Sequence, residues 1–400
     1  MRALSAAAGI VETVNDELPE RHDMTGDRHD TTQRLLEWAV ADLEIPGIVA
    51  EAKDADGTWF GTAGVADLTT GARRGPGEYL PIGSAGKAFT AATILTLEAE
   101  GRLDIEDPVN KWLPGVLDAG GYDGDRITVR HLLSNTGGLF ATGLAPELVS
   151  GYASRSRFAE HRLRVWTMED LLKLAVSQPP VGQPGERFVY ANGGFYLARA
   201  IIERVTGNTY ADEVERVVIG PLGLTDTYVR PEGDTGFRGA YPRAYSTQFY
   251  RDGVDPAAVT SENWESMMEE PGFEPLDVTV FDTSWEPASL VSTTGDMIRF
   301  IDAVAGGGLL PPEQQRKMWT TVSTEGSGWL PHTRYGLGLF ELDRAVTGGR
   351  VVRGVAGSYW GHMFCALGTP DGEHTVVFHT NTEAKSWDLI FKIAEAELGM

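Results

Sequence analysis

Apolar residues recur at helical spacing from Thr31 to Leu43, where Leu35, Leu36, Trp38, Ala39 and Leu43 form a stripe that Pro46-Gly47 closes. Two runs of strand texture follow, Ile48 to Ala52 and Thr58 to Val65. Asp56-Gly57 between them predicts a hairpin. From Phe89 the pattern changes: Phe89, Ala91, Ala92, Ile94, Leu95, Leu97 and Ala99 occupy nearly every helical face, which predicts a helix enclosed by protein and stopped at Gly101. Thr128 to Leu133 reads as a short capped helix, Ala198 to Val205 as a helix ended by Gly207, and Met297 to Ala303 as another. Beyond Tyr335 come four strand runs, Gly336 to Leu342, Arg350 to Val355, His362 to Gly368 and Thr375 to Thr380. A final helix runs from about Ala384 to Leu398.

Strands at both ends with helices between predict an α/β protein: an antiparallel sheet assembled from the two ends, flanked by helices, with an all-helical region inserted. The expected division is an N-terminal arm over 1–30, a sandwich domain from 31–82 and 288–400, and a helical insertion with elaborated loops over 83–287. His22 and His29 fall in the charged arm, where they are expected to be peripheral rather than metal ligands. The stretch from Glu232 to Pro287 has little regular period and carries Trp264, Phe273, Phe281 and Trp285. An irregular, aromatic segment of this length is expected to select substrate by lining or covering a cleft.

Composition narrows the partners. A formal charge of -23 repels nucleic acid and anionic membrane surfaces alike, so neither is expected. Cys365 is the single cysteine, which excludes an internal disulfide and a cysteine metal cluster; its apolar setting reads as core. The eight histidines show no paired ligand spacing, so no metal and no cofactor is expected. The apolar run Ala3 to Val11 is too short and weak for a secretory signal and nothing approaches a membrane span, so a cytoplasmic protein with a small-molecule substrate is the expectation.

Chemistry concentrates at Pro81-Ile82-Gly83-Ser84-Ala85-Gly86-Lys87-Ala88. Ser84 begins the enclosed helix, and Lys87 lies one turn on, facing the same way. A serine hydroxyl needs a base to become nucleophilic, and a lysine in a dry pocket can be that base because desolvation disfavours its charge. Alone, a serine at the beginning of a helix is most often just a cap. A phosphate-binding loop fails at both ends, since Pro81 stands where a glycine is needed and Ala88 where Ser or Thr is. A second stretch, Pro184-Gly185-Glu186-Arg187-Phe188-Val189-Tyr190-Ala191-Asn192, sets a phenol and a carboxamide two residues apart before a helix, where Tyr190 could shuttle a proton.

Together with Ile127-Thr128-Val129-Arg130-His131-Leu132-Leu133-Ser134-Asn135-Thr136-Gly137-Gly138-Leu139 and Leu290-Val291-Ser292-Thr293, these stretches resemble the serine β-lactamase-like family. The similarity runs from about Ile48 to Leu398 and is to the branch of class C β-lactamases, D-alanyl-D-alanine carboxypeptidases, D-aminopeptidases and family VIII esterases. The resemblance implies an α/β sandwich with a helical insertion and a cleft between them. It implies Ser84 as acyl-accepting nucleophile, Lys87 as base or relay, Tyr190 as partner base and Asn192 as a substrate or lysine ligand.

The third family motif departs from the pattern. Val355-Ala356-Gly357 stands where relatives carry Lys-Thr-Gly, His-Thr-Gly or Trp-Gly-Gly, with Ser358 at the backbone oxyanion position. Gly357 is kept; Val355 replaces a group that helps bind a free carboxylate, and an isopropyl group donates no hydrogen bond. Arg353 and His362 are the candidates for a replacement donor, against plain readings as surface arginine and strand histidine. The expected function is acyl-enzyme hydrolysis or acyl transfer on a neutral ester, thioester or amide, with weak or absent β-lactamase and carboxypeptidase activity. The alternatives are a D-amino-acid peptidase or carboxypeptidase and a catalytically silent binding protein of the same fold.

Overall fold

The computed structural model describes residues 28–255, 264–268, 274–284 and 289–400. Helix α1 (Arg28–Ala41) covers the hairpin of β1 (Gly47–Asp54) and β2 (Gly57–Gly64). β3 (Leu80–Pro81) leads through a 3-10 turn, Gly83–Gly86, into α2 (Lys87–Ala99). Then come α3 (Val129–Leu133), α4 (Asn192–Thr206), β4 (Tyr228–Val229), β5 (Leu290–Ser292) and α5 (Thr294–Gly306). The last part supplies β6 (Val322–Ser323), β7 (Thr333–Tyr335), β8 (Phe340–Leu342), β9 (Arg353–Tyr359), β10 (His362–Gly368), β11 (Thr375–Thr380) and α6 (Leu389–Leu398).

An eight-stranded antiparallel sheet runs β2-β1-β11-β10-β9-β8-β7-β6. Its seam joins the two ends of the chain, with Ile48 opposite Thr380 and Lys53 opposite Thr375. One face packs Leu36, Ile48, Phe378, Leu389 and Ile393 beneath α1 and α6; the other packs Val355, Phe364, Ala366 and Val377 against α2 and α5. This alternation by strand position is what a sheet covered on both faces requires. α2 is enclosed all round, every residue from Lys87 to Leu95 being buried. The smaller sheet β3-β5-β4 pins the approach to the turn, Leu80 pairing with Ser292 and Tyr228 with Val291.

Several expectations are corrected. α1 begins at Arg28, so residues 28–30 are not part of an arm: His29 stacks on Trp59 at 5.1 Å and reaches Glu397. α4 begins six residues before Ala198, because Gly193 and Gly194 are contact glycines rather than breakers. A Cβ on Gly193 would lie 3.0 Å from Ala175, and one on Gly194 3.0 Å from the Leu132 carbonyl. β9 runs Arg353–Tyr359 rather than stopping at Val355, and α6 starts at Leu389 rather than near Ala384. Gly336 to Leu342 is two pieces of chain, since Gly338 takes φ +77° to bring its backbone against the Lys87 carbonyl. Phe281 is buried; Phe273 and Trp285 lie outside the described residues, as does the N-terminal stretch with His22.

Candidate active site

Ser84 is half-buried on the 3-10 turn between β3 and α2. The turn depends on Gly83, whose φ of +51° suits glycine and whose absent Cβ makes room for the Tyr359 ring, 2.9 Å from where that atom would stand. Lys87 follows as the first residue of α2 and is 1% exposed. Its Nζ donates to Ser84 Oγ at 2.7 Å. The same Nζ lies 4.8 Å from the centre of the Tyr190 ring and 5.5 Å from that of Phe195. Lys87 thus lies within reach of both Ser84, from its own stretch of sequence, and Tyr190, from a separate one.

Tyr190 is half-buried, stacked on Trp329 at 4.2 Å and edge-on to Tyr335 at 6.3 Å. Burial pushes the Tyr335 phenol well above its ordinary range, so it stays neutral. The extended segment before α4 is held by Asn135: its side-chain oxygen accepts from Ala191 N–H at 3.0 Å and its carbonyl from Val189 N–H at 2.8 Å. Asn135 has φ +56°, a conformation asparagine tolerates better than most residues. Asn192 opens α4, and its Oδ1 is buried without a hydrogen-bond partner. An acceptor left in this state is costly unless something donates to it.

β9 closes the other side. A Cβ on Gly357 would lie 2.1 Å from the Ile82 carbonyl oxygen and 2.6 Å from Ser84 N, so the strand backbone presses directly on the serine turn. Ser358, next along, is half-buried. Val355 is 1% exposed within the core beside α2. His362 is 3% exposed and shares a hydrogen bond with His379 at 3.1 Å, which in turn meets Arg74. Burial holds the His362 imidazole neutral, pushing it down to about 3. Arg353 donates to the Ala305 carbonyl and lies over Trp319. Both candidate donors are engaged elsewhere, His362 with His379 and Arg353 with the Ala305 carbonyl.

The Beta-lactamase family profile matches residues 32–395. The chain belongs to the Beta-lactamase family. Among solved structures, this Beta-lactamase family protein is similar to a D-stereospecific amidohydrolase from Streptomyces, 35% identical, with a TM-score of 0.79 over 93% of this chain and 99% of the other. It is 25% identical to Penicillin-binding protein 4* of Bacillus subtilis (strain 168) over 88% of this chain and 71% of the relative. Esterase EstB of Burkholderia gladioli is 25% identical over 74% of this chain and 76% of its own. The family is one of hydrolases, and proteins named for amide and for ester cleavage both lie within reach of this sequence.

Three supporting residues received no role from the sequence. Asn135 was visible in the Ser134-Asn135-Thr136 tripeptide, but its clamp on the Tyr190 segment is a tertiary contact. Trp329 and Tyr335 sit in a glycine-rich stretch with no periodic signal, and only the fold brings them to Tyr190. Among the described residues, no group of three His, Cys, Asp or Glu side chains is placed to hold a metal, and no helix is long and apolar enough to cross a membrane.

Proposed function

We propose that the protein is a serine hydrolase that cleaves the amide or ester of a small molecule through an acyl-enzyme, with amides of D-amino acids as the foremost substrate class. The observation that carries this reading is the 2.7 Å contact from Lys87 Nζ to Ser84 Oγ inside a dry helix terminus beside Tyr190. Lys87 takes the Ser84 proton as Oγ attacks the carbonyl carbon. The backbone N–H groups of Ser84 and Ser358 receive the developing oxyanion, which the approach of Gly357 to the turn supports. Tyr190 passes a proton to the departing amine or alcohol, and water then releases the acid.

Two observations favour an uncharged leaving-group side. Val355 supplies no donor for a carboxylate, and neither His362 nor Arg353 replaces it. A D-amino-acid amide meets that condition, and the 35% identical Streptomyces protein is named for D-stereospecific amide hydrolysis. The buried Asn192 Oδ1 is available to accept from a substrate N–H.

The test is intact-protein mass after brief exposure to a p-nitrophenyl ester and to a penicillin, together with ammonia release from D- and L-phenylalanine amide. The expected result is a single ester adduct that is absent in Ser84→Ala, no penicillin adduct, and turnover of the D-amide alone. An adduct that survives in Ser84→Ala, or no adduct and no ammonia at all, overturns the reading.

A further inference from the structure

Arg230 follows β4 and is 5% exposed, yet its Nε and Nη2 are buried without a hydrogen-bond partner. Its backbone N–H donates to the Ser289 carbonyl, which fixes the chain, and its guanidinium lies over the Phe237 ring at 4.4 Å. Those contacts leave the in-plane donors unused. The nearby charge makes matters worse: the Arg230 cation helps hold His362 neutral, and Arg238 lies over the ring of Tyr228, whose own hydroxyl is buried without a partner. The Asp282 carboxylate is taken by the N–H groups of Gly233 and Ser284. A buried guanidinium whose Nε and Nη2 find no acceptor is disfavoured, so these two donors call for one.

There is a place for one. Arg230 lines a recess with Gly83, Thr283, Ser289 and Tyr359, with room of about 10 Å³ for the centre of a water-sized occupant. That volume is near the least that holds one small molecule. It suits a compact monovalent anion better than phosphate or sulfate. Arginine presents its donors in a fixed plane, so an anion in the recess would receive two N–H bonds at once.

We infer that Arg230 holds a small monovalent anion of the halide or formate class in this recess. Two of its walls, Gly83 and Tyr359, are the chain neighbours of Ser84 and Ser358. The anion therefore ties together, from behind, the two backbone segments proposed to form the oxyanion hole. That consequence for catalysis rests on the proposed function; the binding itself does not.

The test uses the whole protein. Crystals grown without halide are soaked in sodium bromide, and the melting midpoint is followed on titration with sodium bromide or formate against sodium sulfate at matched ionic strength. A bromine anomalous peak within hydrogen-bonding distance of the Arg230 guanidinium is expected. So is a bromide-dependent rise on the order of 2 °C per tenfold of anion above its dissociation constant, with no matching rise in sulfate. Arg230→Met, which replaces a buried charge by an apolar chain of similar length and is expected to fold, should lose both the peak and the bromide dependence. The proposal is overturned by an empty recess, by equal bromide and sulfate curves, by a dependence that persists in Arg230→Met, or by a peak with no effect in solution, which would mean an adventitious ion only. Ester labelling of Ser84 reads the proposed function separately, since it needs no bound anion to be detected.

Discussion

Tyr190 combines two properties that substitution can separate. Its ring stacks on Trp329, while its hydroxyl is the group proposed to carry a proton. Tyr190→Phe keeps the ring, so its melting midpoint should match the parent, whereas ester acylation should fall by about 10²–10⁴-fold, the usual worth of a positioned acid or base. Equal acylation rates in stopped-flow would remove Tyr190 from the chemistry. Gly357→Ala probes the opposite wall. Its added methyl would meet the Ile82 carbonyl and Ser84 N at 2.1 and 2.6 Å, so the strand must retreat from the turn. We expect a stability loss of about 1–3 kcal/mol from overpacking and an acylation rate down by about 10²-fold or more from a displaced oxyanion donor. Denaturant titration and burst kinetics read the two effects independently.

At the scale of elements, the turn between β9 and β10 is tied to the short strand Tyr245–Ser246 by Glu383. Its buried carboxyl accepts from the Gly361 N–H at 2.6 Å and from the Ser246 hydroxyl. Burial pushes this carboxyl up to about 7. The unfolded chain ionises it near 4.5, so its contribution to stability is fully present below that pH and is lost as pH rises through about 7, amounting to roughly 3 kcal/mol. His362 acts oppositely: held neutral to about 3 against 6.5 unfolded, it favours the fold above 6.5 and disfavours it as pH falls below. Glu383→Gln removes only the first effect. The difference in unfolding free energy between variant and parent should grow in the variant's favour from pH 4.5 to 7 and then level off; a difference independent of pH would show that Glu383 does not titrate there.

The same elements show what the sequence displays and what it hides. The hairpin of β1 and β2, the strands His362–Gly368 and Thr375–Thr380, and the cap of α3 at Thr128 stand where their local patterns put them, because each signal is contained in a few adjacent residues. Ser84, Lys87 and Tyr190 could be singled out as chemistry, and the Ser84–Lys87 spacing is local, but the approach of Tyr190 to that pair is a product of packing. Two of the boundaries that moved, the start of α4 and the end of β9, lie at glycines. Gly193, Gly194 and Gly357 look like breakers along the chain, yet each is glycine because a neighbouring backbone or side chain occupies its Cβ position. The burial of Arg230 had no local signal in the sequence.

For the whole molecule, the decisive joint is between the two ends of the chain. α6 places Leu389, Ile390, Ile393 and Leu398 in the core that α1 and the sheet share. Each such side chain is worth about 1.5–3 kcal/mol when buried, and their sum rivals the entire 5–15 kcal/mol that ordinarily separates folded from unfolded protein. Deleting residues 389–400 should therefore abolish the cooperative thermal transition rather than lower its midpoint. A truncated protein that still melts sharply would place the stability of the sheet elsewhere.

The contact of Gly357 with the Ser84 turn also sets a clock on synthesis. Ser84, the proposed nucleophile, leaves the ribosome well before Gly357, with Lys87 already beside it in the next turn of helix, whereas β9, proposed to complete the oxyanion pocket, follows much later. A nascent chain can hold the reactive pair without the surroundings that make it reactive. On the proposed mechanism, hydrolytic competence waits for β9 to dock on the serine turn, and activity then reports chains that have assembled their sheet.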